Sequence, residues 1–181
     1  HAIPMKSVSE ALYLRNTTFD DYERAVTADG YEQRQRYLDI VIVGGGPTGV
    51  EIAGSLAEMK KHIIAKDYND LDRDEINIHL IHGDARLLNT MSEQASAKAE
   101  QFLRDLGVEL WLDKMVTGFD GDIVTINDGS TIRTNKVIWA AGITGNTLEG
   151  LLQSARTRGN RLKLDAFNRV EGTETSFAIG D

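Results

Sequence analysis

Leu38-Asp39-Ile40-Val41-Ile42-Val43-Gly44-Gly45-Gly46-Pro47-Thr48-Gly49-Val50-Glu51-Ile52-Ala53-Gly54-Ser55-Leu56-Ala57-Glu58-Met59 is the stretch that decides the fold. Leu38 to Val43 is almost wholly apolar and β-branched, the composition of a parallel strand covered on both faces. From Val50 onward Val50, Ala53, Leu56 and Ala57 recur on one side of a small-residue helix. Between strand and helix, Gly44, Gly46 and Gly49 keep the spacing G-x-G-x-x-G. A strand that breaks into such a turn and restarts as a helix is the opening unit of a Rossmann-type α/β fold.

Reading outward, Val8, Leu12, Phe19, Tyr22 and Val26 give residues 7–28 helical spacing, with Gly30 as its stop. The polar run Glu32 to Arg36 then leads into the strand at Leu38. On the other side, the acidic segment from Lys60 to Glu75 reads as an inserted surface loop with some helix, before strand alternation resumes at Ile76 to Ile81. Thr90 and Glu93 form a capping box for a helix whose stripe is Ala95, Ala99, Phe102, Leu103 and Leu106, and Gly107 ends it. Val108–Leu112, Met115–Phe119, Ile123–Ile126 and Thr131–Thr134 are short strands, the last three joined by the hairpin signals Asp120-Gly121 and Asp128-Gly129. Val137 to Ala141 returns to a buried strand, and 161–170 and 176–179 are strand-like. The predicted fold is therefore α/β: a Rossmann-like parallel sheet flanked by helices, crossed by a small antiparallel β layer. Its strands are Leu38–Val43, Ile76–Ile81, Val108–Leu112 and Val137–Ala141. Trp111 and Trp139 are expected in or beside the core.

The 181 residues carry 20 Lys+Arg against 28 Asp+Glu, a net charge of -8, 41% hydrophobic side chains and no cysteine. Such a chain can fill a core, so disorder and collagen-like or coiled-coil forms are excluded. Without cysteine these residues offer no disulfide, thiolate metal site or thiol nucleophile. An acidic surface without a Lys/Arg cluster argues against nucleic acid as a partner. The longest apolar run, Val137 to Ala141, is far below the roughly 18 residues of a membrane span. The start at His1 and the end at Asp181 read as a piece of a longer protein.

Each motif glycine answers a separate need. The first allows the tight turn, the second lets the backbone approach a pyrophosphate, and the third lets helix and strand pack closely. The helix beyond offers free N–H groups and its positive end, so an acidic chain can still hold phosphates. The cofactor class is a dinucleotide, although methyltransferases also open on glycine-rich turns. A dinucleotide site commonly offers the ribose an acid at the end of the second strand. Here His82 stands there, followed by Gly83, Asp84 and Arg86. Its imidazole either hydrogen-bonds a ribose hydroxyl, tolerating a 2′-phosphate when protonated, or is merely a solvated loop side chain. His62 and His79, with no carboxylate at ligand spacing, read as surface residues rather than metal ligands. The carboxylates from Asp67 to Glu75 lack the glycine and spacing of a calcium loop. Glu51, just beyond Gly49, suits a helix start and would also lie near any cofactor.

The run Val41 to Glu51 resembles the NADH-binding segment of type II NADH dehydrogenases. Arg86-Leu87-Leu88, Leu106-Gly107-Val108, Trp139-Ala140-Ala141-Gly142 and Phe177-Ala178-Ile179-Gly180-Asp181 follow in the order that this family shows. The resemblance implies a flavoprotein of the respiratory chain that passes a hydride from NADH to FAD and then reduces a membrane quinone without pumping protons. It implies that Gly44, Gly45, Gly46, Pro47, Thr48 and Gly49 cradle the NADH pyrophosphate, with His82 at the ribose. Glu51 would serve as the catalytic carboxylate facing nicotinamide and flavin, Ala141 and Gly142 would border the nicotinamide, and Asp181 would touch FAD. It further implies a homodimer held peripherally on the cytoplasmic side of the inner membrane. Residues 1–37 would belong to or lead from the FAD domain, 38–146 would bind NADH, and 147–181 would return toward the FAD domain. His82 departs from the glutamate that the family usually places there, and the family's first FAD glycine motif is not in this stretch. Ferredoxin reductases and disulfide oxidoreductases share the glycine turn and the Gly-Asp ending, and a non-catalytic dinucleotide-binding module would share the turn.

Overall fold

The computed structural model describes residues 2–68, 70–142, 150 and 153–180. They divide into two compact units, residues 1–141 and 142–181.

In the first unit five parallel strands form one sheet: β1 (Ile3–Pro4), β2 (Ile40–Val43), β3 (Ile78–Ile81), β4 (Val108–Trp111) and β8 (Lys136–Trp139), in the spatial order β1-β8-β2-β3-β4. A separate antiparallel sheet holds β5 (Val116–Phe119), β6 (Ile123–Ile126) and β7 (Thr131–Arg133). The helices are α1 (Val8–Thr27), α2 (Tyr31–Leu38), α3 (Pro47–Met59), the single turn α4 (Ala65–Asp67) and α5 (Glu93–Asp105).

Every residue of β2 and β3 is buried, apolar throughout in β2 and apolar except for His79 in β3. Alternation assigns them to two cores. Ile40, Ile42, Ile78 and Leu80 meet Ala53, Leu56 and Leu103 of α3 and α5, while Val41, Val43 and Ile81 meet Val124, Ile126 and Ile132 of the antiparallel sheet. Helices thus cover one face of the parallel sheet and the antiparallel layer covers the other, in agreement with the predicted fold. A third core joins Tyr22, Ala25 and Leu38 to Ile64, Leu71 and Ile76.

That third core corrects the surface-loop reading of residues 60–75. After α3 the chain continues as a π turn, Lys60–Ile64, and reaches a 3-10 turn at Arg73–Glu75, with Ile64 and Leu71 turned inward. Residues 31–38 form a helix rather than a lead into a strand, because Gln35 is buried and donates to the Glu75 carbonyl at 3.1 Å. α5 is capped by Ser92, whose hydroxyl accepts from the Ala95 N–H at 3.2 Å, not by Thr90. Its inner face carries Ser96 and Leu103, whereas Phe102 is 59% exposed. His79 is buried against Trp111 and Glu109 instead of lying on the surface. Trp111 packs beside the second core, and Trp139 at the end of β8 is exposed.

In the second unit the strand-like stretches form only isolated antiparallel bridges, Arg156 with Leu162, Leu164 with Val170 and Arg169 with Phe177. Asp165 accepts from the Phe167 and Arg169 N–H groups and shapes the intervening turn.

Candidate functional site

β2 is the strand at which the sheet changes direction. From it the chain runs through α3 to β3 and on to β4 on one side, while β8 and β1 lie on the other. Ligands of open α/β sheets bind beyond the carboxyl ends of the strands at such a switch point. The glycine turn occupies that place. Backbone bonds gather the strand ends around it: Ala140 N–H donates to the Val43 carbonyl at 2.9 Å, and Gly44 N–H donates to the Ile81 carbonyl at 2.8 Å.

The four glycines have different reasons to lack a side chain. Gly44 has φ +113°, and a Cβ there would stand 2.7 Å from the Ala141 nitrogen. At Gly49 a Cβ would fall 1.8 Å from the Gly44 carbonyl oxygen, so this glycine lets α3 seat against the turn. Gly45 has Leu87 and His82 carbons pressed within 2.5 to 2.8 Å of the same position. Gly46 differs from all three. Its φ of -76° and ψ of -179° are open to any residue, and a Cβ would meet nothing within 4 Å. The fold therefore does not require glycine at Gly46; a ligand pressed close against the backbone would.

Gly46 also caps α3 with no side-chain hydrogen bond, and Pro47 takes the first helical position. The first-turn N–H groups accordingly face out past the strand ends, together with the positive end of the 13-residue helix. Pro47, Thr48 and Glu51 are exposed along this mouth. Ala141 is half-buried against Gly44 at the end of β8, whereas Gly142, with φ +73°, opens the second unit. Asp181 lies outside the described residues.

His82 follows β3 as predicted, but it is turned inward. Its side chain is 14% exposed, Nδ1 accepts the Gly45 N–H at 3.1 Å, and Nε2 lies 3.4 Å from Asp84 Oδ2. Leu88 N–H closes the other side of the turn on the Gly45 carbonyl at 2.8 Å. The sequence reading passed over Ala140 and Leu87, whose contacts with Gly49 and Gly45 fix the turn. Their signal was the Trp139-Ala140-Ala141-Gly142 run, where small residues follow a buried strand, and the apolar pair Leu87-Leu88 in an otherwise polar loop.

A profile of pyridine nucleotide-disulphide oxidoreductases matches residues 6–181. The chain belongs to this family. Among curated members it is similar to the type II NADH:quinone oxidoreductase Ndh of Mycobacterium tuberculosis, 30% identical over 98% of this chain and 40% of the relative. It is likewise similar to the external alternative NAD(P)H-ubiquinone oxidoreductase B2 of Arabidopsis thaliana mitochondria, 32% identical over 98% of this chain and 31% of the relative. Among solved structures, NDH2 from Plasmodium falciparum in complex with NADH superposes with a TM-score of 0.76 at 26% identity, over 82% of this chain and 31% of that one. The chain thus spans about two fifths or less of the relatives' length.

Within the oxidoreductase family a pyridine nucleotide must be held, and the crevice has the donors for it. A pyrophosphate fits the open backbone at Gly46 and the helix end behind it. The family's disulphide has no counterpart in these residues, which contain no cysteine.

Proposed function

We propose that this chain is the NADH-binding part of a type II NADH:quinone oxidoreductase. In that enzyme a hydride passes from NADH to FAD, and the electrons go on to a membrane quinone without proton pumping. The observation that carries the reading is Gly46, a glycine that its own backbone does not need, at the mouth of the switch-point crevice. The similarity to Ndh and to NDH2 supports the choice of partners.

Bound FAD, held mainly by parts of the protein beyond these residues, would supply the hydride acceptor. The residues of this chain bind and orient the donor. Gly46, Thr48 and Gly49 would receive the pyrophosphate through backbone N–H groups, while Gly44 and Gly45, whose N–H groups are taken by Ile81 and His82, and Pro47, which has none, would shape the cradle around it. Glu51, exposed one turn into α3, would hold the nicotinamide edge so that its reactive carbon meets the acceptor. Ala141 and Gly142 would border the same ring, their small size admitting it. Asp181 would contact FAD. The full-length protein is proposed to be a homodimer, peripheral on the cytoplasmic side of the inner membrane; no helix of the described residues is long and apolar enough to cross a membrane.

Anaerobic mixing of the full-length protein with NADH tests this directly. Bleaching of the flavin band, followed by its return on adding a soluble quinone, is the expected result. A flavin that stays oxidised in the presence of NADH would contradict the reading.

A further inference from the structure

We propose that Asp84, not His82, reads the 2′ position of the adenosine ribose and selects NADH over NADPH, and that His82 is the positioning residue behind it. This rests on the NADH reading of the crevice.

A ribose reader needs a free acceptor at the end of β3. The His82 ring has none to give. Its Nδ1 is taken by the Gly45 N–H at 3.1 Å, which places the proton of the neutral ring on Nε2, and Nε2 faces Asp84 Oδ2 at 3.4 Å. The imidazole is a buried strut between the glycine turn and the loop that follows β3. Asp84, by contrast, has a side chain 59% exposed. Asn89 Nδ2 donates to its Oδ2 at 2.7 Å, and His82 Nε2 approaches the same oxygen at 3.4 Å without a hydrogen bond, while Oδ1 stands outside both contacts. The backbone beneath is locked as well: Asp113 N–H donates to the Asp84 carbonyl at 3.1 Å, and Lys114 N–H to the His82 carbonyl at 3.0 Å.

The neighbouring cations point the same way. Arg86 donates to the Asn89 and Met91 carbonyls at 2.9 and 3.3 Å, and Lys114 pairs with Asp128 at 2.6 Å. A 2′-phosphate would meet the Asp84 carboxylate with both of these cations already engaged, whereas a 2′-hydroxyl would find an acceptor. Met115, exposed and lying over Gly83, adds an apolar surface one residue before Asp84.

Steady-state kinetics of the full-length enzyme with NADH and NADPH, for Asp84→Asn, His82→Leu and His82→Gln, test the division of roles. Asp84→Asn should lower the NADH-to-NADPH ratio of kcat/KM by about tenfold or more, through KM. His82→Leu should raise KM for both nucleotides and leave their ratio within about twofold, and His82→Gln, whose amide can accept from Gly45 and donate to Asp84, should reverse much of that rise. A ratio that follows His82→Leu but ignores Asp84→Asn would overturn the proposal, as would a wild-type preference for NADPH. Asp84 lies on an exposed loop, so its variant decides the matter even where His82→Leu fails to fold. Failure of the wild-type enzyme to oxidise either nucleotide is a different result, and it would remove the NADH reading itself.

Discussion

The two ends of the parallel sheet are built from the same four neighbouring strands and treat polar groups in opposite ways. At the amino end, Lys136 opens β8 fully buried and pairs with the buried Asp21 of α1 at 2.8 Å, while Asn135 Nδ2 donates to the other Asp21 oxygen at 3.0 Å. Asn77, just before β3, donates to Asp39 and Gln35 at 2.9 and 3.3 Å, and the Thr134 hydroxyl donates to the Asp39 carbonyl. Burial pushes the Lys136 ammonium below its ordinary range, and the Asp21 charge pulls it back up. These groups answer one another and close that end. At the carboxyl end the donors at the mouth are backbone, and the first turn of α3 has no side-chain cap. Polar groups satisfied within the fold hold its elements together; those left facing outward are what a ligand can use.

The largest expected effect lies at the closed end. Lys136→Met should cost about 3–5 kcal/mol, because the Asp21 carboxylate is left buried without its partner, and urea unfolding measures it. Replacing Asp21 by Leu in the same chain should recover most of the loss; no recovery would mean that the pair is not the seam described. Next comes Gly49→Ala, which drives a methyl into the Gly44 carbonyl and should cost about 1–3 kcal/mol in the same assay. The smallest effect belongs to the antiparallel layer. The Lys114 ammonium, followed by the Ser130 backbone N–H, holds Asp128 well below the usual carboxylate range, whose reference value is 3.8. The folded state therefore binds fewer protons than the unfolded one, so this stability is present above the unfolded value and lost as pH falls below about 4. Asp128→Asn should flatten that part of the acid limb of a stability-versus-pH curve, and an unchanged limb would contradict the assignment.

The carboxyl end was legible because its signals are local. Strand, glycine spacing and helix start follow one another in the sequence, and the strands predicted at Leu38, Ile76, Val108 and Val137 appear with ends shifted by only one or two residues. The amino end was not legible, since Asp21 and Lys136 lie far apart and neither announces the other. α2 escaped notice because its buried face is carried by Gln35 beside Leu38, which no apolar pattern reveals. β1 is two residues long and exists only through its pairing with β8. At α5 the capping-box pattern pointed to Thr90, whereas the helix is capped by Ser92, one turn before the buried Ser96 hydroxyl that donates to the Leu87 carbonyl. His82 was placed correctly at the end of β3, but its inward turn depends on Gly45, reached only through the fold.

The most direct test is Gly46→Val in the full-length protein, with thermal stability and NADH affinity measured on the same preparation. Stability should stay within about 1 kcal/mol of wild type, since the backbone there suits any residue and a Cβ meets open space. NADH affinity should fall by about a hundredfold as the side chain displaces the pyrophosphate from the turn. A folded Gly46→Val protein that binds NADH as tightly as wild type would contradict the assignment of this crevice.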